Sequence, residues 1–182
     1  MSQNSTVVEK KQKGRVIWLM GLSGSGKSTL GLRLEQHFKA SSGQPVIRID
    51  GDQVRDFYEG DLGYTKEDRI QNVKRILLSA HLLTQVSVTV IVCNTHPFEK
   101  LREFARRKIE TYIEIYLKRD FESCVRADPK GVYQKNLGQT PLIGKEIPFE
   151  EPIQSDLTID IEATSEDQSF QKILEFLDQP LV

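Results

Sequence analysis

The sequence predicts an α/β fold in which a five-stranded parallel sheet lies between two layers of helices. The first observation is that five short apolar runs alternate with segments of helical character, a pattern typical of parallel sheets with right-handed crossovers. The second is that the first run leads directly into a glycine-rich loop and then a helix. The predicted strands are Arg15–Met20, Val46–Asp50, Val86–Cys93, Thr111–Leu117 and Leu157–Ile161. In such sheets ligands bind at the carboxyl ends of the strands.

The composition is that of an ordinary globular domain. The 182 residues are 38% hydrophobic and 28% charged, and the net charge is −1. A near-neutral chain is not expected to bind nucleic acid or a membrane surface through bulk charge. No apolar run approaches the roughly 18 residues of a membrane span. We expect a polar, mobile tail over residues 1–13 and one domain over residues 14–182.

Cysteine usage and the first residues of the chain favour a cytoplasmic protein. Cys93 and Cys124 are the only cysteines, and they fall in a predicted strand end and a predicted helix. We therefore expect two reduced thiols rather than a disulfide. The sequence begins with a polar stretch in place of an apolar signal segment. No cysteine or histidine spacing indicates a zinc site.

The loop after the first strand has the pattern that cradles nucleotide phosphates. Residues 21–28 read Gly-Leu-Ser-Gly-Ser-Gly-Lys-Ser and fit G-x-x-x-x-G-K-[ST] at every fixed position. Backbone N–H groups of such a loop bind phosphate at a helix N-terminus. Lys27 is expected to reach the β- and γ-phosphates, and Ser28 to ligate Mg²⁺. The predicted cofactors are therefore ATP and Mg²⁺. The predicted ATP-binding residues of this loop are Gly21, Ser23, Gly24, Ser25, Gly26, Lys27, Ser28 and Thr29.

Local signals define the helices of the first half. The helix after the loop is predicted to run to about Ala40, where the turn cluster Ser41–Pro45 ends it. A short helix begins near Gln53. Thr65 caps the next helix, with Asp68 three residues on as an approximate capping box. The buried face of that helix is predicted to carry Ile70, Val73, Leu77 and Ala80.

The second half contains three predicted helices and one long irregular segment. The helices are Glu99–Lys108, Phe121–Ala127 and Ser165–Asp178. Asp128–Pro152 is rich in proline and glycine and is predicted to have little regular structure. A segment of this length is usually a lid or a binding loop.

Polar residues cluster where the second strand ends and on the helix after it. A carboxylate of Asp50-Gly51-Asp52 is a candidate to accept a proton from a hydroxyl group or to hold Mg²⁺ through water, and Asp52 is the preferred one. The alternative is that Asp52 only caps the short helix. Arg55 is a candidate for an anionic substrate, with a surface position as the alternative. Arg69 and Asn72 lie on one face of the following helix, which is either part of a site or a solvated surface.

Two further places carry candidate site residues. Thr95 and His96 follow the third strand at the ligand-binding edge; His96 either contacts an acceptor or only forms the turn before Pro97. In the lid segment, Lys130 and Lys135 are candidates to neutralise charge on a transferring phosphoryl group.

These motifs, in their order, resemble the adenylylsulfate (APS) kinase family. The resemblance rests on the glycine-rich loop, Asp-Gly-Asp-x-Val-Arg, Asp-Leu-Gly-Tyr, Asp-Arg-x-x-Asn, Asp-Pro-Lys-Gly-x-Tyr and the late Ile-Pro-Phe-Glu-Glu-Pro. It spans about Arg15 to Ile161. It implies a P-loop kinase three-layer fold with a lid, and transfer of the γ-phosphate of ATP to the ribose 3′-hydroxyl of adenosine 5′-phosphosulfate. The partner is then a small nucleotide acceptor; a homodimer is left open.

The resemblance also implies roles for the candidate residues. Asp52 would be the general base or the carboxylate that orients the hydroxyl. The acceptor nucleotide would be held by Arg55, Arg69 and Asn72, and Tyr64 would stack on its base. Lys130 and Lys135 correspond to lid lysines near the phosphates.

The sequence departs from the family pattern around the bases. Leu142 stands where the family has a lid phenylalanine, which removes one aromatic wall of the acceptor-base slot. Ala127 replaces an arginine associated with the ATP adenine, for which Arg126 is a substitute candidate. The turn Asn94–Pro97 also differs from its counterpart. Two alternatives therefore remain: a kinase of cytidine diphosphoramidate in capsule modification, and a non-catalytic nucleotide-binding switch. Acceptor-dependent ATP consumption distinguishes a kinase from a switch.

Overall fold

The computed structural model describes residues 14–41, 43–128, 131–135 and 140–179. Five strands form one parallel sheet in the order β2-β3-β1-β4-β5. The strands are β1 Val16–Met20, β2 Val46–Asp50, β3 Thr89–Cys93, β4 Tyr112–Lys118 and β5 Leu157–Asp160. The helices are α1 Lys27–Ser41, α2 Gly51–Phe57, α3 Lys66–Gln85, α4 Glu99–Lys108, α5 Phe121–Ala127, α6 Val132–Lys135 and α7 Glu166–Leu177. The predicted α/β architecture is confirmed. None of the described helices is long and apolar enough to cross a membrane.

The central strand β1 separates two hydrophobic clusters. Every residue of β1 is buried, and alternate side chains point to opposite faces of the sheet. Trp18 and its even-numbered neighbours pack with α3, α4 and residues 142–147. Ile17 and Leu19 pack with α1 and α7 on the other face. The sheet therefore lies between two helical layers, and its carboxyl edge is left for the loops that form the site.

Most predicted elements agree with the structure to within two residues, but β3 is shorter than expected. The apolar run from Val86 predicts a strand there, whereas the strand begins at Thr89. Val86 ends α3 as its C-cap and is 67% exposed, and Ser87 has a φ of 65°. The chain turns between α3 and β3 at these residues, which hydrophobicity alone does not reveal.

Capping decides where α2 and α3 begin. Thr65 and Asp68 form the expected capping box at α3. At α2 the cap is Asp50, whose carboxylate accepts a hydrogen bond from the Asp52 backbone N–H. The helix therefore begins at Gly51, earlier than predicted, and Asp52 lies in its first turn instead of capping it.

The described part of the predicted lid segment is partly tied to the core. It contains the short helix α6 and an isolated bridge between Ile143 and Ile147. The side chains of these two isoleucines are buried. The Tyr133 hydroxyl donates to the Ser23 carbonyl of the glycine-rich loop at 3.0 Å. These contacts anchor the segment at two points, while its function as a lid remains a prediction.

Candidate functional site

A cleft of about 820 Å³ runs along the carboxyl edge of the sheet. It is lined by the glycine-rich loop and the start of α1 on one side, and by α2, the β3–α4 turn and Leu142 on the other. A small cavity of about 70 Å³ opens beside it. The residues that line both spaces are Gly51, Asp52, Tyr64, Arg69, Asn94 and Thr95. The two spaces therefore meet at the first turn of α2.

The glycine-rich loop has the backbone geometry that a phosphate cradle requires. Gly24 and Gly26 have φ values of 82° and 92°, in the left-handed region that favours glycine. A Cβ at Gly24 would also lie 3.0 Å from the Cys124 carbonyl oxygen. The cleft is lined by most of the residues predicted to bind ATP, namely Ser23, Gly24, Gly26, Lys27, Ser28 and Thr29. Gly21 and Ser25 are buried and are not among the residues that line the cleft.

Lys27 brings a positive charge to the loop itself. Its ammonium group donates hydrogen bonds to the carbonyl oxygens of Gly21 and Leu22, at 2.9 and 2.6 Å. Because the side chain curls back over the loop, its charge lies where phosphate oxygens would meet the backbone N–H groups at the N-terminus of α1.

Ser28 is paired with a carboxylate that the sequence did not single out. Its hydroxyl donates to Asp50 Oδ2 at 2.9 Å, and Asp50 Oδ1 accepts from the Asp52 N–H at 3.0 Å. A hydroxyl beside a carboxylate is an oxygen donor set that suits Mg²⁺. In the described residues no group of three or more His, Cys, Asp or Glu side chains could hold a metal ion.

Asp52 lies where the cleft and the small cavity join. It is exposed, in the first turn of α2, and lines both spaces. Asp52 is the carboxylate that the sequence predicts to hold Mg²⁺. Asp50 is better placed to do so, because it contacts Ser28 directly. The position of Asp50 as the last residue of a strand at the ligand-binding edge was the available signal.

Two arginines enclose Tyr64 in the small cavity. The Arg55 guanidinium lies 4.7 Å from the centre of the Tyr64 ring, and that of Arg69 lies 5.3 Å from it. Arg55 donates to the carbonyl oxygens of Leu62 and Gly63, at 3.1 and 2.6 Å. These two bonds hold the Asp-Leu-Gly-Tyr loop against Arg55. Arg55 and Tyr64 both line the small cavity, as the predicted site requires.

Arg69 joins this cavity to the lid segment. It donates to the Tyr64 carbonyl oxygen at 3.0 Å and to that of Pro141 at 2.8 Å. Burial, and then the positive charge of Arg55, lowers the pKa of Arg69 to about 10. Arg69 is therefore a cation at neutral pH. Two like charges in one small cavity are best compensated by an anionic ligand.

Asn72 faces the same cavity from α3. Its amide nitrogen donates to the Gly51 carbonyl oxygen at 3.2 Å, whereas its buried amide oxygen has no partner among the described residues. A ligand hydroxyl in the cavity would satisfy that acceptor. The structure thus brings together Asp52, Arg55, Tyr64, Arg69, Asn72 and Thr95, six of the eight residues predicted to bind the acceptor.

His96 does not face the cavity, in contrast to the prediction that it contacts the acceptor. Its ring is fully buried and stacks on Trp18, with the ring centres 4.3 Å apart. Burial, followed by the charges of Arg102 and Arg106, holds the pKa of His96 well below its usual range. A neutral, buried imidazole here belongs to the packing under the turn, which is the alternative that the sequence had left open.

Three other predicted residues are not placed in the site. Arg126 is exposed on α5, donates to the Ser123 hydroxyl at 2.6 Å, and is not among the residues that line the cleft. Its predicted contact with the ATP adenine is therefore not seen in this arrangement. Lys130 and the side chain of Lys135 lie outside the described residues.

The two cysteines are expected to resist alkylation in the folded protein. Both are free and buried. Burial, and then the Asp50 carboxylate, raises the pKa of the Cys93 thiol to about 12, and burial also raises that of Cys124. Since the thiolate is the nucleophile, the raised thiol pKa and the burial both slow alkylation. Iodoacetamide labelling followed by mass spectrometry should find neither cysteine modified in the native protein and both modified in guanidinium chloride. Rapid native labelling would contradict this burial.

The chain is similar in sequence and in structure to known adenylyl-sulfate kinases. A family model described as adenylylsulphate kinase matches residues 13–160. The adenylyl-sulfate kinase of Halothermothrix orenii is 37% identical over 172 residues, covering 93% of this chain and 92% of that protein. The enzyme of Staphylococcus epidermidis is 37% identical over 169 residues, covering 91% and 84%. The structure of the Mycobacterium tuberculosis APS kinase CysC in complex with AMPPNP and APS superimposes with a TM-score of 0.84 at 29% identity, covering 92% of this chain and 99% of that one.

Proposed function

Because this chain belongs to the adenylylsulphate kinase family, we propose that it transfers the γ-phosphate of ATP to the ribose 3′-hydroxyl of adenylyl sulfate. Membership makes the chain a phosphotransferase of the nucleotide-kinase type. The identity of the acceptor is the part that we propose. The names of the relatives support adenylyl sulfate, and so does the anion-compatible cavity beside the cleft.

The observation that carries the proposal is the position of Asp52. A phosphoryl transfer needs the acceptor hydroxyl, the γ-phosphate and a carboxylate at one point. The cleft beside the glycine-rich loop has room for ATP, and the cavity with its two arginines suits an anionic acceptor. Asp52 lines both spaces where they meet. A hydroxyl at that junction would be within reach of a carboxylate that accepts or directs its proton.

The remaining residues position and neutralise charge. Lys27 would lie against the β- and γ-phosphates, and the pair of Ser28 and Asp50 would hold Mg²⁺. A bound magnesium ion neutralises charge on the transferring phosphoryl group. Arg55 and Arg69 would bind the phosphate and sulfate oxygens of the acceptor, and Asn72 its sugar. Lys130 and Lys135 are proposed to approach the phosphates from the lid segment.

The direct test is acceptor-dependent phosphorylation. Purified protein with Mg²⁺ and ATP should form ADP only when adenylyl sulfate is added, and the product should carry a new phosphate at the 3′-position, as read by mass spectrometry and phosphorus NMR. A control with 3′-deoxyadenylyl sulfate should give no product because it lacks the attacking hydroxyl. Slow ATP hydrolysis that ignores the acceptor would contradict the proposal and favour a switch.

A cytidine-based acceptor belongs in the same assay as a competitor. Leu142 lines the cleft where the family pattern has phenylalanine, so a base held by Tyr64 has no aromatic partner at that position. Loss of one stacking wall costs on the order of 1–3 kcal/mol per base. We therefore expect adenylyl sulfate to bind less tightly than it would in a two-walled slot. The relatives reported above are named as kinases of adenylyl sulfate, so they lend no support to the cytidine acceptor or to a switch.

Arg69→Ala should weaken acceptor binding strongly. The guanidinium is half-buried and cationic, and hydrogen bonds from a charged donor contribute about 1.5–3 kcal/mol. The acceptor KM should rise about 10- to 150-fold, while the KM for ATP changes little. Lys74→Ala is a matched control, since Lys74 is an exposed cation of the same helix. Equal effects of the two changes on the acceptor KM would remove Arg69 from the binding site.

A further inference from the structure

A fully buried arginine lies directly beneath the turn that lines the small cavity. Arg102, on α4, has no exposed surface. Its Nη1 donates to the His96 carbonyl oxygen at 2.8 Å, and its Nη2 donates to the Glu150 carbonyl oxygen at 2.7 Å. Its Nε donates to the Glu99 carboxylate at 3.0 Å. One guanidinium thus binds backbone from two distant segments and has its charge balanced by a carboxylate on its own helix.

The turn that Arg102 holds has an unfavourable backbone conformation. His96 has a φ of 49°, which is uncommon for a residue with a side chain, and it precedes a proline. Its N–H donates to the Asn94 side-chain oxygen at 3.0 Å, and its ring is stacked on Trp18. Such a conformation persists only where several contacts enforce it. Here the contacts are the Asn94 bond, the ring stack and Arg102.

The shape of this turn determines part of the cavity wall. Asn94, Thr95 and Pro97 all line the small cavity, on either side of the buried His96. The backbone of Thr95 also accepts a hydrogen bond from the Gly21 N–H of the glycine-rich loop, at 3.4 Å. A change in the His96 backbone would therefore displace the cavity wall.

The second segment bound by Arg102 is the carboxyl end of the predicted lid. The Glu150 N–H donates to the Pro97 carbonyl oxygen at 3.0 Å, and the Glu150 carboxylate accepts from the Glu99 N–H at 2.6 Å. Arg106 donates to the Gln154 carbonyl oxygen and pairs with the buried Glu114 at 2.8 Å. The cavity turn and residues 150–154 are therefore joined through Glu99, Arg102 and Arg106 of α4.

We infer that Arg102 is a positioning residue for the acceptor: it holds the Asn94–Pro97 turn in its left-handed form and ties that turn to the end of the lid segment. The inference rests on the proposed function, because it assigns the small cavity to the acceptor. Arg102 touches neither cavity nor cleft, so it acts only through the backbone that it binds. Because the turn encloses the cavity but supplies only Asn94 and Thr95 to the cleft, the loss of Arg102 should affect acceptor binding more than ATP binding.

Arg102→Lys is the principal test. Lysine keeps the positive charge beside Glu99, but its compact ammonium cannot span both carbonyl oxygens as the planar guanidinium does. We expect the acceptor KM to rise at least fivefold, with the KM for ATP within twofold of the wild-type value. Arg107→Lys is the matched control, because Arg107 is the exposed arginine of the same helix; both KM values should stay within twofold. Thermal melting confirms that each variant is folded.

The outcomes separate this inference from the proposed function. If the wild-type protein shows no acceptor-dependent transfer, the proposed function fails. If the wild-type protein is active and folded Arg102→Lys has an unchanged acceptor KM, or equal rises in both KM values, only the positioning role is overturned. Should Arg102→Lys not fold, His96→Val decides. A β-branched residue strongly disfavours the φ of 49° at this position and also removes the ring stack, so the acceptor KM must rise selectively, and an unchanged value overturns the inference.

Discussion

Lys27→Ala should reduce turnover by at least about 10²–10³-fold, the effect typical of removing one preorganised charge from a transition-state site. The ammonium group lies on the glycine-rich loop, bound to the Gly21 and Leu22 carbonyl oxygens. Alanine is a good helix former at the start of α1, so the fold should be retained. The measurement is kcat with saturating acceptor, together with thermal melting.

Lys39→Ala is the control for the Lys27 variant. Lys39 lies near the other end of α1, where it pairs with Glu35 at the surface. Its removal takes one positive charge from the same helix and should leave kcat within twofold. A folded Lys27→Ala protein with normal turnover would show that the glycine-rich loop is not the ATP site.

Asp52→Asn should lower kcat by about 10²–10⁴-fold, as expected for loss of a general base. Asparagine keeps the size and part of the hydrogen bonding of Asp52 but has no negative charge. Because Asp50 forms the contact with Ser28, the change should leave the KM for ATP within about threefold. Initial rates over a range of both substrates separate the two effects.

Asp167→Asn serves as the control for Asp52→Asn. Both carboxylates lie in the first turn of a helix, so both favourably face the helix dipole. Asp167, however, pairs with Arg33 at the surface. If Asp52→Asn and Asp167→Asn have similarly small effects on kcat, Asp52 has a helix-terminal role only, and the proposed transfer needs another base.

Much of the fold is predictable because its signals are local. The five strands are short apolar runs, and their alternation with helices specifies a parallel sheet and the edge at which ligands bind. The capping box at Thr65 and Asp68 lies within four residues of sequence. The glycine-rich loop is similar, since its positive φ values, its lysine and its helix N-terminus all come from one continuous octapeptide.

The candidate site is predictable in part for the same reason. Asp52, Arg55, Tyr64, Arg69 and Asn72 belong to ordered motifs, and the structure gathers them around one small cavity. These residues come together because the two helices that carry most of them, α2 and α3, directly follow the predicted strand β2. The position of Asp50 at the end of a strand makes it a second candidate in the sequence, but the choice between Asp50 and Asp52 depends on which carboxylate caps α2 and on which one meets the Ser28 hydroxyl.

The sequence by itself determined the sheet, the phosphate-binding loop and the family, whereas only the tertiary structure decided what lies beneath the acceptor turn. Next to Pro97, His96 has the sequence context of a surface or site residue, yet packing against Trp18 buries it. Arg102 looks like one more charge on a highly charged helix, yet it binds carbonyl groups 6 and 48 positions away in the chain. Such contacts depend on packing between segments that are distant in the sequence, so the residues next to Arg102 do not predict them. A buried guanidinium is favourable only where its donors meet acceptors within the fold, and that requirement selects the partners of Arg102.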